Sequence, residues 1–201
     1  MKIETKVCEK LLRDKVIQEE EKDIIQYGLH QGGTLFINIC TLMIVCTTIG
    51  CATQGFWFLV YFWPLRIYAG GYHADTEKKC YFLSTFSEIA IFLIAHFFDF
   101  TRGIEIILIT LTLMVIIFLM APQDTENRRL SDKEKTVYKK KVNKVLVFHI
   151  ISFAMMYLID KKEIWEIILL SQALMAFILI IGYMKEILKS KENEDATTKA
   201  C

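Results

Sequence analysis

Two prolines in 201 residues, Pro64 and Pro122, leave little in this chain to interrupt a helix. The six cysteines, Cys8, Cys40, Cys46, Cys51, Cys80 and Cys201, form no CxxC pair and no secreted-domain spacing. That pattern argues against both a zinc ribbon and a disulfide framework. No second His or Cys stands at ligand spacing from the histidine of greatest interest, His73, so neither a metal nor another cofactor is expected. The first residues alternate in charge and lack the apolar core of a signal peptide, and the ending Thr-Lys-Ala-Cys does not place its cysteine for prenylation. Membrane insertion is therefore expected to come from internal segments. An internal repeat is also missing, which weakens the case for an inverted-repeat transporter, and nothing implies a nucleic-acid partner.

What is abundant is apolar surface: 54% hydrophobic residues and a mean hydropathy of +0.36 point to an all-α, polytopic membrane protein. Residues 1–33 read as an N-terminal cytoplasmic arm, in which Ile3, Val7, Leu11 and Cys8, Leu12, Val16 recur every four residues to make an amphipathic helix. Such a helix suits the membrane surface or a seat on the protein's own cytoplasmic loops. Tyr27–Gly33 reads as a break. Residues 34–184 form the membrane domain, with apolar segments at Thr34–Ile49, Phe56–Ala69, Tyr81–Phe98, Ile104–Ala121, Val145–Ile159 and Ile164–Met184. The first two are short, about 24 and 21 Å as helices against roughly 30 Å of hydrocarbon, so they cross a thinned bilayer or form a re-entrant hairpin. Residues 185–201 are a charged cytoplasmic tail, expected to be disordered at its end.

The net charge of +1 conceals a strong segregation. Of 24 Lys and Arg residues, six lie in the N-terminal arm, three in the 66–80 loop, eight in the linker 122–144 and four in the tail, leaving Arg102, Lys161 and Lys162 for the opposite face. By the positive-inside tendency this orients a multi-pass membrane protein with both termini, the linker and the 66–80 loop in the cytoplasm.

The 66–80 loop holds the chemistry-bearing residues. His73 and Cys80 supply an imidazole and a thiol, and an adjacent base is the usual means of making a thiolate near neutral pH. On one straight helix they would share a face but stand about 10 Å apart along the axis, beyond hydrogen-bond reach. The chain must bend between them. Gly70 and Gly71 permit unusual dihedrals, and Asp75 and Thr76 are good helix starters before Cys80. The helix N-terminus at Cys80 favours a thiolate, as do Lys78 and Lys79. Packing alone would also account for a cysteine at a helix start. Ser84, Ser87 and Glu88 continue the Cys80 face into the bilayer, a stripe expected to line the substrate path or to support structure, and a buried Glu88 is expected to pair with Arg66. His96, His149, Glu166 and Gln172 read as interhelical contacts or interface residues.

Arg66, Gly70-Gly71, His73-Ala74, Cys80 and Ser84 together resemble the signature of the AgrB membrane peptidases of bacterial quorum sensing. Ala121-Pro122 with Asn127-Arg128 resembles a second motif of that family, from which Arg129 departs where a proline is expected. The resemblance implies a membrane-embedded cysteine endopeptidase acting on a short AgrD-like propeptide. It would remove the acidic C-terminal part and close the remainder into a thiolactone through an enzyme thioester on Cys80, with His73 as base. Backbone N–H groups near Gly70, Gly71 or Cys80 are the candidate oxyanion donors. The lipid bilayer is the other expected partner, the basic linker suits both lipid headgroups and an acidic peptide, and the architecture is compatible with a homodimer. The alternative is a non-enzymatic peptide transporter or export module whose intramembrane polar groups line a pathway.

Overall fold

Pro64 is the only proline inside a helix, and the computed structural model describes long helices throughout residues 3–72, 76–124 and 130–199. All regular structure among these residues is helical: α1 (Ile3–Arg13), a short 3-10 turn (Glu19–Glu21), α2 (Lys22–Ile49), α3 (Ala52–Ala69), α4 (Glu77–Phe97), α5 (Ile104–Met120), α6 (Asp132–Leu158) and α7 (Lys162–Lys199). The chain is thus all-α, as composition and periodicity predict. Four helical stretches are long and apolar enough to cross a membrane, Glu19–Ile49, Lys78–Phe97, Asp132–Leu158 and Lys162–Ser190, and Ile104–Met120 is a shorter apolar helix.

The segment boundaries differ from expectation in three places. Tyr27–Gly33 is no break, because α2 runs through Gly28, Gly32 and Gly33 without interruption. Its 28 residues reach about 42 Å, so the shortfall disappears for the first segment, whereas α3 at 18 residues reaches only about 27 Å. The 122–144 stretch is helical from Asp132, where Ser131 caps α6 and exchanges hydrogen bonds with Glu134 in a capping box. α7 continues through the tail to Lys199, and the last two residues, where disorder is expected, lie outside the described residues. The amphipathic arm packs on the protein itself: α1 lies against α2, with Cys8 fully buried.

Packing explains which helix sits inside. α3 touches α2, α6 and α7, while α7 touches α3, α4, α5 and α6. In α7 every residue from Trp165 to Gln172 is buried, which requires neighbours on all sides of the helix. By contrast Phe82, Phe86, Leu119 and Leu158 present large apolar side chains outward, as suits a helix bundle facing lipid. The α2–α3 hairpin closes on Gly50 at φ 82, with Cys51 N–H donating to Cys46 O at 2.8 Å and Gly50 N–H to Thr47 O at 3.2 Å. This is the Schellman ending that a left-handed glycine permits. Deeper in the bundle, His149 Nε2 meets Tyr61 O at 3.1 Å and Gln172 Nε2 meets His149 Nδ1 at 3.3 Å. A carbonyl only accepts and an amide nitrogen only donates, so the ring carries its proton on Nε2 and ties α3, α6 and α7 together. The interhelical role expected of His149 and Gln172 is the one the structure gives them.

Candidate active site

The chain bends ahead of Cys80, between α3 and α4. α3 ends at Ala69, Gly70 takes φ 74 and ψ −130, Gly71 takes φ 97, and α4 starts at Glu77 behind Thr76. Thr76 has extended backbone and its hydroxyl accepts from Lys79 N–H at 3.3 Å, an ordinary N-cap. His73 and Asp75 lie outside the described residues. Cys80 sits in the first turn of α4 as a half-buried free thiol.

Arg66 reaches over the turn from the last helical turn of α3. Its guanidinium donates to Gly70 O and, at 2.8 Å, to Tyr72 O, so both ends of the Gly-Gly bend are held by one rigid fork. The guanidinium and the Cys80 sulfur lie near enough to interact electrostatically. Arg66 therefore serves the level of Cys80. Glu88 stands eight residues further along α4, about 12 Å deeper, buried and beside Cys46. The expected Arg66–Glu88 pair is not formed, and among the described residues Glu88 makes no ion pair. Ser84 is half-buried on α4. Ser87 turns its hydroxyl back to Leu83 O at 2.7 Å, so it adds no free polar group to the stripe.

The same geometry sorts the backbone donors. Cys80 N–H is already bonded to Thr76 O at 2.9 Å and Tyr72 N–H to Ile178 O at 3.3 Å. Among the described residues neither Gly70 N–H nor Gly71 N–H has a hydrogen-bond partner.

Three residues that sequence reasoning passed over hold the turn from outside. Gln123, just after Ala121-Pro122, donates its N–H to Ala69 O at 2.9 Å and its side-chain amide to Leu179 O at 2.9 Å. A Cβ on Gly70 would come 2.4 Å from Gln123 O, one on Gly71 2.9 Å from Ile178 Cγ2, and one on Gly182 2.7 Å from Gln123 Oε1. The backbone of residues 69–72 is thus wedged between Gln123 and α7. The one legible signal was Gly182, a lone glycine within an apolar span, where glycine usually marks close backbone approach. The 121–124 stretch is itself pinned to α6: Lys139 donates to Phe118 O and to Ala121 O (2.8 Å), and Lys135 pairs with Asp124 at 2.8 Å. Lys141 lies over the Tyr68 ring at 4.8 Å. Several of the basic residues are therefore occupied within the fold.

A bundle of apolar helices carrying a free thiol, an arginine and a glycine bend at one helix junction describes a polytopic membrane protein with a built polar site at one end. Comparison with known proteins narrows the class. The chain matches the Accessory gene regulator B (AgrB) family over residues 4–179. It is 32% identical over 153 residues to an AgrB-like protein of Clostridium perfringens strain SM101 (Type A), covering 70% of this chain and 72% of that one. It is 31% identical, with the same coverage, to AgrB-like protein 2 of C. perfringens strain 13 (Type A). No solved structure matches. The chain belongs to the AgrB family, whose members act in agr quorum sensing.

Proposed function

We propose that this protein is a membrane cysteine endopeptidase that cleaves an AgrD-like propeptide and cyclises the retained part. The observation that carries the reading is the placement of Cys80: a free thiol in the first turn of the helix that follows the glycine bend, within electrostatic range of the Arg66 guanidinium. A helix N-terminus is a usual seat for a nucleophilic cysteine. His73, three residues before the cap Thr76, is the proposed base. It takes the Cys80 proton, and the sulfur attacks the carbonyl at the cleavage point while the Gly70 and Gly71 N–H groups are the proposed oxyanion donors. The tetrahedral adduct expels the amine of the C-terminal fragment, which leaves with the proton held by His73, and a Cys80 thioester remains. The propeptide's own cysteine then attacks that thioester, the proton returns to Cys80, and the peptide leaves as a thiolactone. Exchange of one thioester for another is near balanced, whereas thioester formation from an amide is uphill, so removal of products pulls the sequence forward.

Helices α2 to α7 are the proposed six crossings, with the termini and the 66–80 loop cytoplasmic. In that arrangement the site lies at the membrane surface, where an anchored propeptide is positioned and water is kept from the acyl-enzyme. Arg66 holds the loop. Co-expression with the propeptide, followed by mass spectrometry of cell extracts, tests the reading. A C-terminal fragment and a ring product are expected, and both should vanish in Cys80→Ala and in His73→Ala. Normal processing by both variants would leave the transporter reading in place.

A further inference from the structure

The turn that leads into His73 is held on its open side by a residue of a different segment, more than fifty positions away in sequence. Gln123 makes two hydrogen bonds to it and to its support, one from the backbone to Ala69 O and one from the side chain to Leu179 O on α7, both at 2.9 Å. Its carbonyl and its side-chain oxygen each occupy space that a Cβ on Gly70 or on Gly182 would need. Gly182 also lets Tyr72 N approach, since its Cβ would lie 2.8 Å from that atom. Arg66 clamps the inner carbonyls of the same turn. The bend is therefore gripped from both sides, by a guanidinium within and by an amide from the stretch after Ala121-Pro122.

We propose that Gln123 is the positioning residue of the catalytic loop: seated against Gly182, it sets the Gly70–Gly71 turn, and through it the placement of His73 relative to Cys80. The inference rests on the peptidase reading above. A side-chain amide suits the task because it donates to Leu179 O while its oxygen packs flat against glycine, which neither a carboxylate nor an aliphatic chain does. Positioning of this kind acts on turnover more than on substrate affinity, since a small misplacement of base and nucleophile is felt mainly in the chemical step.

The test uses full-length protein in native-like membranes. Gln123→Met keeps length and most of the volume but removes the amide, and Gln123→Ala removes both. The expected result in each is a fall in kcat on the propeptide of about tenfold or more, with KM little changed. A second readout separates positioning from mere loss of stability. The rate of Cys80 alkylation by iodoacetamide is followed without propeptide, and it is expected to fall in both variants as the base is misplaced. Gly182→Ala, acting from α7, is expected to produce the same fall, and Arg102→Ala, in the α4–α5 connection, to leave the rate unchanged. Wild-type kcat and a wild-type alkylation rate in Gln123→Met at equal membrane abundance would overturn the inference. So would reduced abundance with an unchanged rate, which marks a structural role alone. Failure of the peptidase reading is distinct: Cys80→Ala and His73→Ala would then process normally whatever Gln123 does.

Discussion

Gly70→Ala is the sharpest probe of the bend between α3 and α4. Gly70 sits at φ 74 and ψ −130, a combination that costs an L-residue about 1–3 kcal/mol. A methyl group there would lie 2.4 Å from Gln123 O. Because that oxygen is backbone and its residue is hydrogen-bonded to Ala69 O, no rotamer change relieves the contact, and the steric cost is about 1–3 kcal/mol more. The sum, roughly 2–6 kcal/mol, falls on the geometry that joins Arg66, the turn and α4. At about 1.4 kcal/mol per decade, processing should drop at least roughly 30-fold. The assay measures ring product and C-terminal fragment by mass spectrometry, normalised to enzyme in the membrane fraction. Gly71→Ala provides the comparison. Its methyl meets a side-chain atom, Ile178 Cγ2, at 2.9 Å, so Ile178→Ala should recover part of its loss, whereas no side-chain truncation should rescue Gly70→Ala. Processing by Gly70→Ala within threefold of wild type, at equal abundance, would refute the argument that the turn must keep this conformation.

His149→Leu should lower the thermal unfolding midpoint in detergent micelles, because it leaves the Gln172 amide unpaired in the bundle interior at a cost of about 1–3 kcal/mol; an unchanged midpoint would show that the His149 network is not stabilising. Lys135→Ala breaks a pair with Asp124 whose lysine stands in solvent, where such pairs add little, so its midpoint should stay near wild type, and a drop as large as that of His149→Leu would contradict this. Glu88→Gln should retain both abundance and processing, since no ion pair depends on its charge among the described residues. Loss of protein from the membrane comparable to that in Arg66→Ala would instead point to a charge pair.

Local patterns carried a large share of the architecture. The apolar run Ile104–Ala121 is α5 to within a residue, and Ile164–Met184 lies wholly within α7. The bend at Gly70-Gly71 followed by a Thr76 cap was legible because both rest on the dihedral and hydrogen-bonding habits of a few neighbouring residues. The same local reasoning failed at Tyr27–Gly33. Each glycine there costs a helix about 1 kcal/mol in isolation, a penalty that a continuous, tertiary-supported α2 outweighs. The start of α6 was available in Ser131 and Glu134, whose spacing is that of a capping box, but the surrounding lysines made the stretch read as a charged linker.

The site divides along the same line. Residue types and spacing were enough to single out Arg66, Gly70, Gly71, His73 and Cys80, because a thiol, an imidazole and a flexible backbone so close in sequence already constrain the chemistry. Which carbonyls the Arg66 guanidinium meets, and that Glu88 lies too deep to reach it, depended on how α3 and α4 align in depth. The part played by Gln123 depended on α7 arriving with a glycine, Gly182, where a side chain would push the turn away. Helical periodicity and turn chemistry are written within a few residues of one another, so the sequence by itself determined an all-α membrane bundle with a bend before Cys80. A wedge between segments more than fifty residues apart has no local signature, and only the packing of the helices decided it.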